Sequence, residues 1–170
     1  MKKSIKSDRI SFKFASFEWL NFFGLPSGLI ILGLIHGYFY FKDINHPKSL
    51  TFLIAFILTV TAGLLSYLLQ LNRLKFKTIR ITKTLSEFKT YLRDTLVHND
   101  WEIQYDNKEF IQATFRKSLF NFDMLTIKFV NDNEIKWNVI HNPGDHNAIL
   151  AVLTLNSQGK KIIKKLKSSR

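Results

Sequence analysis

"FFGLPSGLIILGLIHGYFYF", Phe22 to Phe41, runs for twenty residues without a Lys, Arg, Asp or Glu. A second uncharged run of the same length, "FLIAFILTVTAGLLSYLLQL", extends from Phe52 to Leu71. At about 1.5 Å per residue, a helix of that length spans roughly 30 Å, the hydrocarbon thickness of a bilayer. Two such runs in a chain of 170 residues are hard to place inside a water-soluble core. The first holds eleven Leu, Ile or Phe residues. At about 0.3 to 0.6 kcal/mol each, they favour insertion by roughly 3 to 7 kcal/mol before Gly, Pro, Ser and His subtract from it. The pattern predicts a transmembrane helical hairpin over 17–72, with spans at about 22–41 and 52–71.

A secretory signal peptide fits the first run poorly. The apolar stretch is too long, a second span follows at once, and it ends in Tyr38, Phe39, Tyr40 and Phe41 rather than in small residues. Those aromatics read as an interfacial belt at one end of the helix, with Phe17 and Trp19 at the other. The connection "KDINHPKS", Lys42 to Ser49, leaves room only for a tight turn.

Charge sets the expected orientation. The net +12 is concentrated in the flanks: residues 1–16 hold five bases against Asp8, residues 73–83 hold Arg73, Lys75, Lys77, Arg80 and Lys83 with no acid, and residues 160–170 hold six bases. Residues 84–159, with ten acids and seven bases, are mildly acidic. The positive-inside rule therefore places both termini in the cytoplasm and the short turn outside, as in a cell inner membrane. Juxtamembrane bases attract anionic headgroups by about 1 kcal/mol each. Arg73, Lys75, Lys77, Arg80 and Lys83 are the candidate headgroup contacts, and the bilayer is the expected partner. Nucleic-acid binding would want bases interleaved with aromatics on a folded face, and these clusters adjoin spans or occupy a tail.

Small residues suggest how the hairpin closes, because close backbone approach is what brings apolar helices together in lipid. Gly24 and Gly28 form one pair, Gly33 and Gly37 another, and Ala55, Thr59 and Gly63 share a stripe of the second span. Nine residues separate Gly24 from Gly33, which puts the two pairs on nearly opposite faces. One pair serves the hairpin and the other is left for a second chain, either another membrane protein or a second copy. Pro26 can change this relation by kinking the helix near Phe22.

Residues 73–170 read as a small α+β domain with a basic tail. Ile81, Leu85, Phe88, Leu92 and Leu96 follow helical spacing, with Thr84 and Glu87 placed for a capping box. The pattern leaves open whether a new helix starts or the second span continues as a stalk. The period then changes to two around Trp101, Ile111, Leu125 and Ile135, with turns at 106–108 and 131–133. Four strands in an antiparallel meander are expected, one face buried beneath the helix. "AILAVLTL", Ala148 to Leu155, is either a fifth strand or two buried helical turns, and the lysine-rich tail around Ile162, Ile163 and Leu166 is a short amphipathic helix.

The chemistry-bearing residues form no recognised constellation. There is no phosphate loop, nucleophile elbow, dinucleotide fingerprint or metalloprotease motif. Cysteine is absent, so neither disulfides nor thiolate metal sites arise. His141 and His146 bracket Asp145 with no third ligand in view, and they read as a solvated turn. His36 lies inside the first span within reach of the interface, and no intramembrane acid accompanies it. Glu18 and Asn21 read as interface residues. No cofactor or metal is expected. The order of two spans, then "WEIQ", "IQATF", "LTIKF", "NDNEI" and a "GKK" tail, resembles small uncharacterised two-span membrane proteins of bacteria. That resemblance implies the architecture and no activity. The expected function is non-enzymatic: a membrane-anchored domain that binds or scaffolds a partner. The alternative is a ligand-sensing domain coupled to oligomerising helices.

Overall fold

The computed structural model describes residues 8–118, 121–144 and 157–168. Two long helices come first, α1 (Phe17–Lys42) and α2 (Ser49–Arg73). Ser16 caps α1, its hydroxyl accepting from the Trp19 N–H at 3.2 Å. The residue before it, Ala15, takes a positive φ of 57°, which sets the angle at which the chain enters the helix. The helices run beyond the uncharged runs at both ends and pack against each other along their length.

The strand β1 (Lys77–Arg80) follows, then α3 (Leu85–Val97), β2 (Trp101–Asp106), β3 (Phe110–Ser118), β4 (Asn121–Asn131), β5 (Glu134–His141) and α4 (Ser157–Ser168). All strand pairs are antiparallel, in the order β1-β5-β4-β3-β2. The four expected strands form the meander. The fifth is β1, which crosses over to pair with β5 before α3 begins. Ala148 to Leu155 lies outside the described residues. Between Arg73 and Leu85 the chain makes a strand and a turn, so α3 is a new helix and α2 does not continue into it. Thr84 and Glu87 form the reciprocal capping box, and Ile81 precedes the helix and packs into the core. Arg93 holds α3 to β2 through a two-pronged bond to Asp106, which keeps the Asp106 carboxyl below the usual carboxylate range.

The expectation of one buried face needs correction. On β4 every residue from Phe122 to Ile127 is buried. Leu125 and Ile127 face the main core, which α3 covers with Phe88, Leu92 and Leu96 and α4 with Ile162, Ile163 and Leu166. Met124 on β4 and Ile140 on β5 point the other way, into a second cluster with Ile10, Phe22, Phe23 and Leu74. The base of the helical hairpin is thus the second layer over the sheet. Alternation alone did not reveal this, because the covering residues Ile10, Phe22, Phe23 and Leu74 belong to segments far earlier in the chain.

Candidate functional site: the helical hairpin and its junction with the sheet

The seam between α1 and α2 is built on glycine. A Cβ added at Gly33 would collide with the Val60 side chain and lie 2.8 Å from Thr59 Oγ1; one at Gly37 would meet the Phe56 ring at 3.0 Å. Across the seam, a Cβ at Gly63 would lie 3.0 Å from both Ile30 N and Pro26 O. Thr59 is satisfied within its own helix, donating to the Ala55 carbonyl at 2.6 Å. Gly33, Gly37, Thr59 and Gly63 therefore mark the line of closest approach. Gly24 and Gly28 have no atom within 4 Å of an added Cβ. They lie in an open groove of about 480 Å³ on α1, flanked by Leu20, Leu25, Leu29 and Leu32 with Asn21 at its end.

Pro26 does not end α1. Its missing N–H deprives the Phe22 carbonyl, four residues earlier, of its helical donor. Gln70 on α2 replaces that donor: its Nε2 donates to Phe22 O at 3.2 Å, and the Gln70 side chain is fully buried. A proline in one helix and an amide in the other thus form one unit. No periodicity signals it, since Phe22 and Gln70 are 48 residues apart.

Three further polar contacts fasten the hairpin to the sheet. Asn138 Nδ2 on β5 donates to the Arg73 and Lys75 carbonyls, both at 2.8 Å, where α2 ends. Asn21 Nδ2 on α1 donates to Pro143 O at 3.0 Å, and Asn21 is buried rather than solvated at an interface. The N-terminal segment runs beside the exit of α2, with Ile10 N–H donating to Leu74 O at 3.0 Å and Phe76 N–H to Asp8 O at 3.1 Å. Trp19, Phe23 and Tyr67 pack with tilted rings around this junction.

The candidate headgroup bases do not share one surface. Arg73 and Lys75 stand at the junction, and Arg80 on β1 opposes Glu134. Lys77 lies over the Trp137 ring at 5.4 Å and Lys83 over the Tyr91 ring at 4.3 Å, both on the side of the sheet that carries α3.

His141 also differs from expectation. It is the last residue of β5 and buried, not part of a solvated turn; His146 lies outside the described residues. Its neighbour on β4, Asp123, accepts from the Gly159 N–H at the start of α4 at 2.8 Å. Burial raises the Asp123 carboxyl above its usual value, with the Gly159 and Gln158 N–H groups opposing. Among the described residues no three His, Asp or Glu side chains converge as metal ligands would.

The class this geometry defines is a pair of long apolar helices followed by a five-stranded antiparallel sheet with helices on its far face. No protein family, curated protein or solved structure matches the chain.

Proposed function

We propose that the chain is a non-enzymatic integral membrane protein. In this reading α1 and α2 cross the bilayer as a hairpin, both termini and the sheet lie on the cytoplasmic side of the cell inner membrane, and the domain binds or scaffolds a partner. The observation that carries the reading is apolar surface left uncovered on two helices of bilayer length. Only 28% of the most apolar stretch of α1 and 6% of that of α2 is buried, whereas the core helix of a soluble protein is mostly covered. Ile31, Leu34, Ile35, Ile54, Leu58, Leu65 and Leu69 are all exposed, and apolar side chains left uncovered together on neighbouring helices mark a surface meant for lipid or another chain. The open groove at Gly24 and Gly28 is the face left for a helix of a neighbouring chain.

Because the chain has no cysteine, single introduced thiols report topology without background. Asn45→Cys in the turn should react with a membrane-impermeant maleimide in intact cells, and Ser86→Cys on α3 only after permeabilisation. Recovery of the protein in the supernatant of a detergent-free lysate would refute the membrane reading, and the opposite labelling pattern would refute the orientation. The scaffolding part is tested by crosslinking in native membranes, where a bare monomer is the adverse result. The alternative, a ligand-sensing domain that acts through the helices, draws support from the Asn138, Asn21 and Gln70 contacts, which would carry a displacement of the sheet into the hairpin.

A further inference from the structure

The two faces of the sheet carry two separate sets of lysines. Asp123 points to α4 and the adjacent Met124 to the hairpin base. The face that holds Met124 and Ile140 continues along the strands through Thr126 and Asn138 to Lys128 and Lys136, which are direct partners in the β4–β5 ladder. At about 3.3 Å per residue, this pair lies roughly 13 Å from the apolar contact with the hairpin, beside it on the same face. The N-terminal segment brings the pair into the junction: Asp8, whose carbonyl bonds the Phe76 N–H just after α2, also holds Lys136 Nζ at 2.7 Å.

Like charges directly opposite each other in a ladder are unfavourable. Asp8 bonds one of the two, from a side chain that is 82% exposed. Glu134, which also acts on Lys136, is opposed by Arg80 across the β1–β5 ladder, so Lys128 and Lys136 with Asp8 leave the patch net positive beside the base of the hairpin.

We infer that Lys128 and Lys136 form a binding surface for the phosphates of anionic phospholipid headgroups. This rests on the membrane reading above. It adds to the headgroup set two residues from the part of the chain whose overall charge is acidic. It also separates them from the lysines of α4. Lys160, Lys161 and Lys164 are exposed, but α4 lies on the far face, with the sheet between it and the hairpin base. Layers packed on a sheet stand about 10 Å from it, close to the screening length at 0.1 M salt. The apolar stripe of α4 is consumed by the core, so the helix has none to insert into lipid.

The test uses the full chain reconstituted in phosphatidylcholine vesicles containing dansyl-labelled phosphatidylglycerol, with energy transfer from the protein's tryptophans as the readout. Lys128→Gln combined with Lys136→Gln should weaken association with the labelled lipid about 25-fold, from about five-fold for each base near a surface. Lys160→Gln combined with Lys164→Gln should leave it unchanged. Asp8→Asn, which keeps both lysines and removes their counter-charge, should strengthen it, so a fold damaged by the double variant cannot imitate the whole result. Equal loss in the two lysine pairs, no loss in the first, or weakening by Asp8→Asn overturns the inference. Displacement of the labelled lipid by inorganic phosphate would assign the surface to a soluble anion and overturn the lipid assignment. Failure of the wild-type chain to float with the vesicles would refute the membrane reading itself; flotation without the lysine effect refutes only this inference.

Discussion

Replacing Gln70 by Met removes an amide whose task is defined by a residue on the other helix. Pro26 has no N–H to give the Phe22 carbonyl, and Gln70 supplies the missing donor from α2 at 3.2 Å. Gln70 is 0% exposed and Phe22 2%, so water cannot take over the contact. Methionine is close to glutamine in length, and the main loss is the bond itself. Stranding a buried carbonyl costs about 1 to 3 kcal/mol. For a chain of this size each kcal/mol lowers the midpoint by about 2 to 4 °C, so Gln70→Met should melt roughly 2 to 12 °C below wild type. The decisive comparison is made in a Pro26→Ala background. Alanine returns an N–H to the Phe22 carbonyl, so the second change should then cost at least about 1 kcal/mol less than in wild type. Thermal unfolding of the four detergent-solubilised proteins, followed by far-ultraviolet circular dichroism, gives the coupling. If the two substitutions add to within about 0.5 kcal/mol, the amide is not compensating the proline and the reasoning is wrong.

Four other outcomes are expected. Gly33→Ala should destabilise the hairpin by about 1 to 3 kcal/mol, because its methyl would strike Val60, whereas Gly24→Ala should be neutral or gain up to about 1 kcal/mol in helix propensity; parallel melts check the contrast. Asn138→Ala removes both bonds to the end of α2 and should cost about 1 to 3 kcal/mol, with faster amide exchange at residues 73–76 as its local signature. Thr84→Ala breaks the capping box and should cost about 1 kcal/mol, read by the same thermal assay. Asp123→Asn is expected to be at least as stable as wild type at neutral pH. The folded state holds the Asp123 proton more tightly than the unfolded chain does, so its contribution is most favourable below the ordinary carboxylate value and is lost as pH rises through the raised one. The advantage of the variant should therefore shrink on acidification, and an advantage that grows would contradict the assignment.

The two helices, the turn between them, the four-strand meander and the cap of α3 were all legible in the sequence, since each is written in neighbouring residues. An uncharged run of twenty, a Thr and Glu three apart, and a period of two are properties of segments a few turns long. Strand β1 was not legible: Lys-Thr-Ile-Arg is four residues with one apolar side chain, and only pairing with β5 makes it a strand. His141 and Asn21 looked like surface residues, because nothing in their surroundings along the chain announces the elements that bury them.

What the sequence determined by itself was composition along short stretches: two long apolar helices and a sheet domain flanked by bases. It also placed Gly24 and Gly33 on opposite faces of one helix, because helical pitch is the same in every context. Tertiary structure alone decided which of those faces α2 occupies, that Gln70 answers Pro26, that the sheet is covered on both sides, and that lysines of one charge are sorted onto two surfaces. Backbone propensity and hydrophobic periodicity act over a few residues, whereas the donor for a stranded carbonyl and the cover for a second face must come from wherever the folded chain returns.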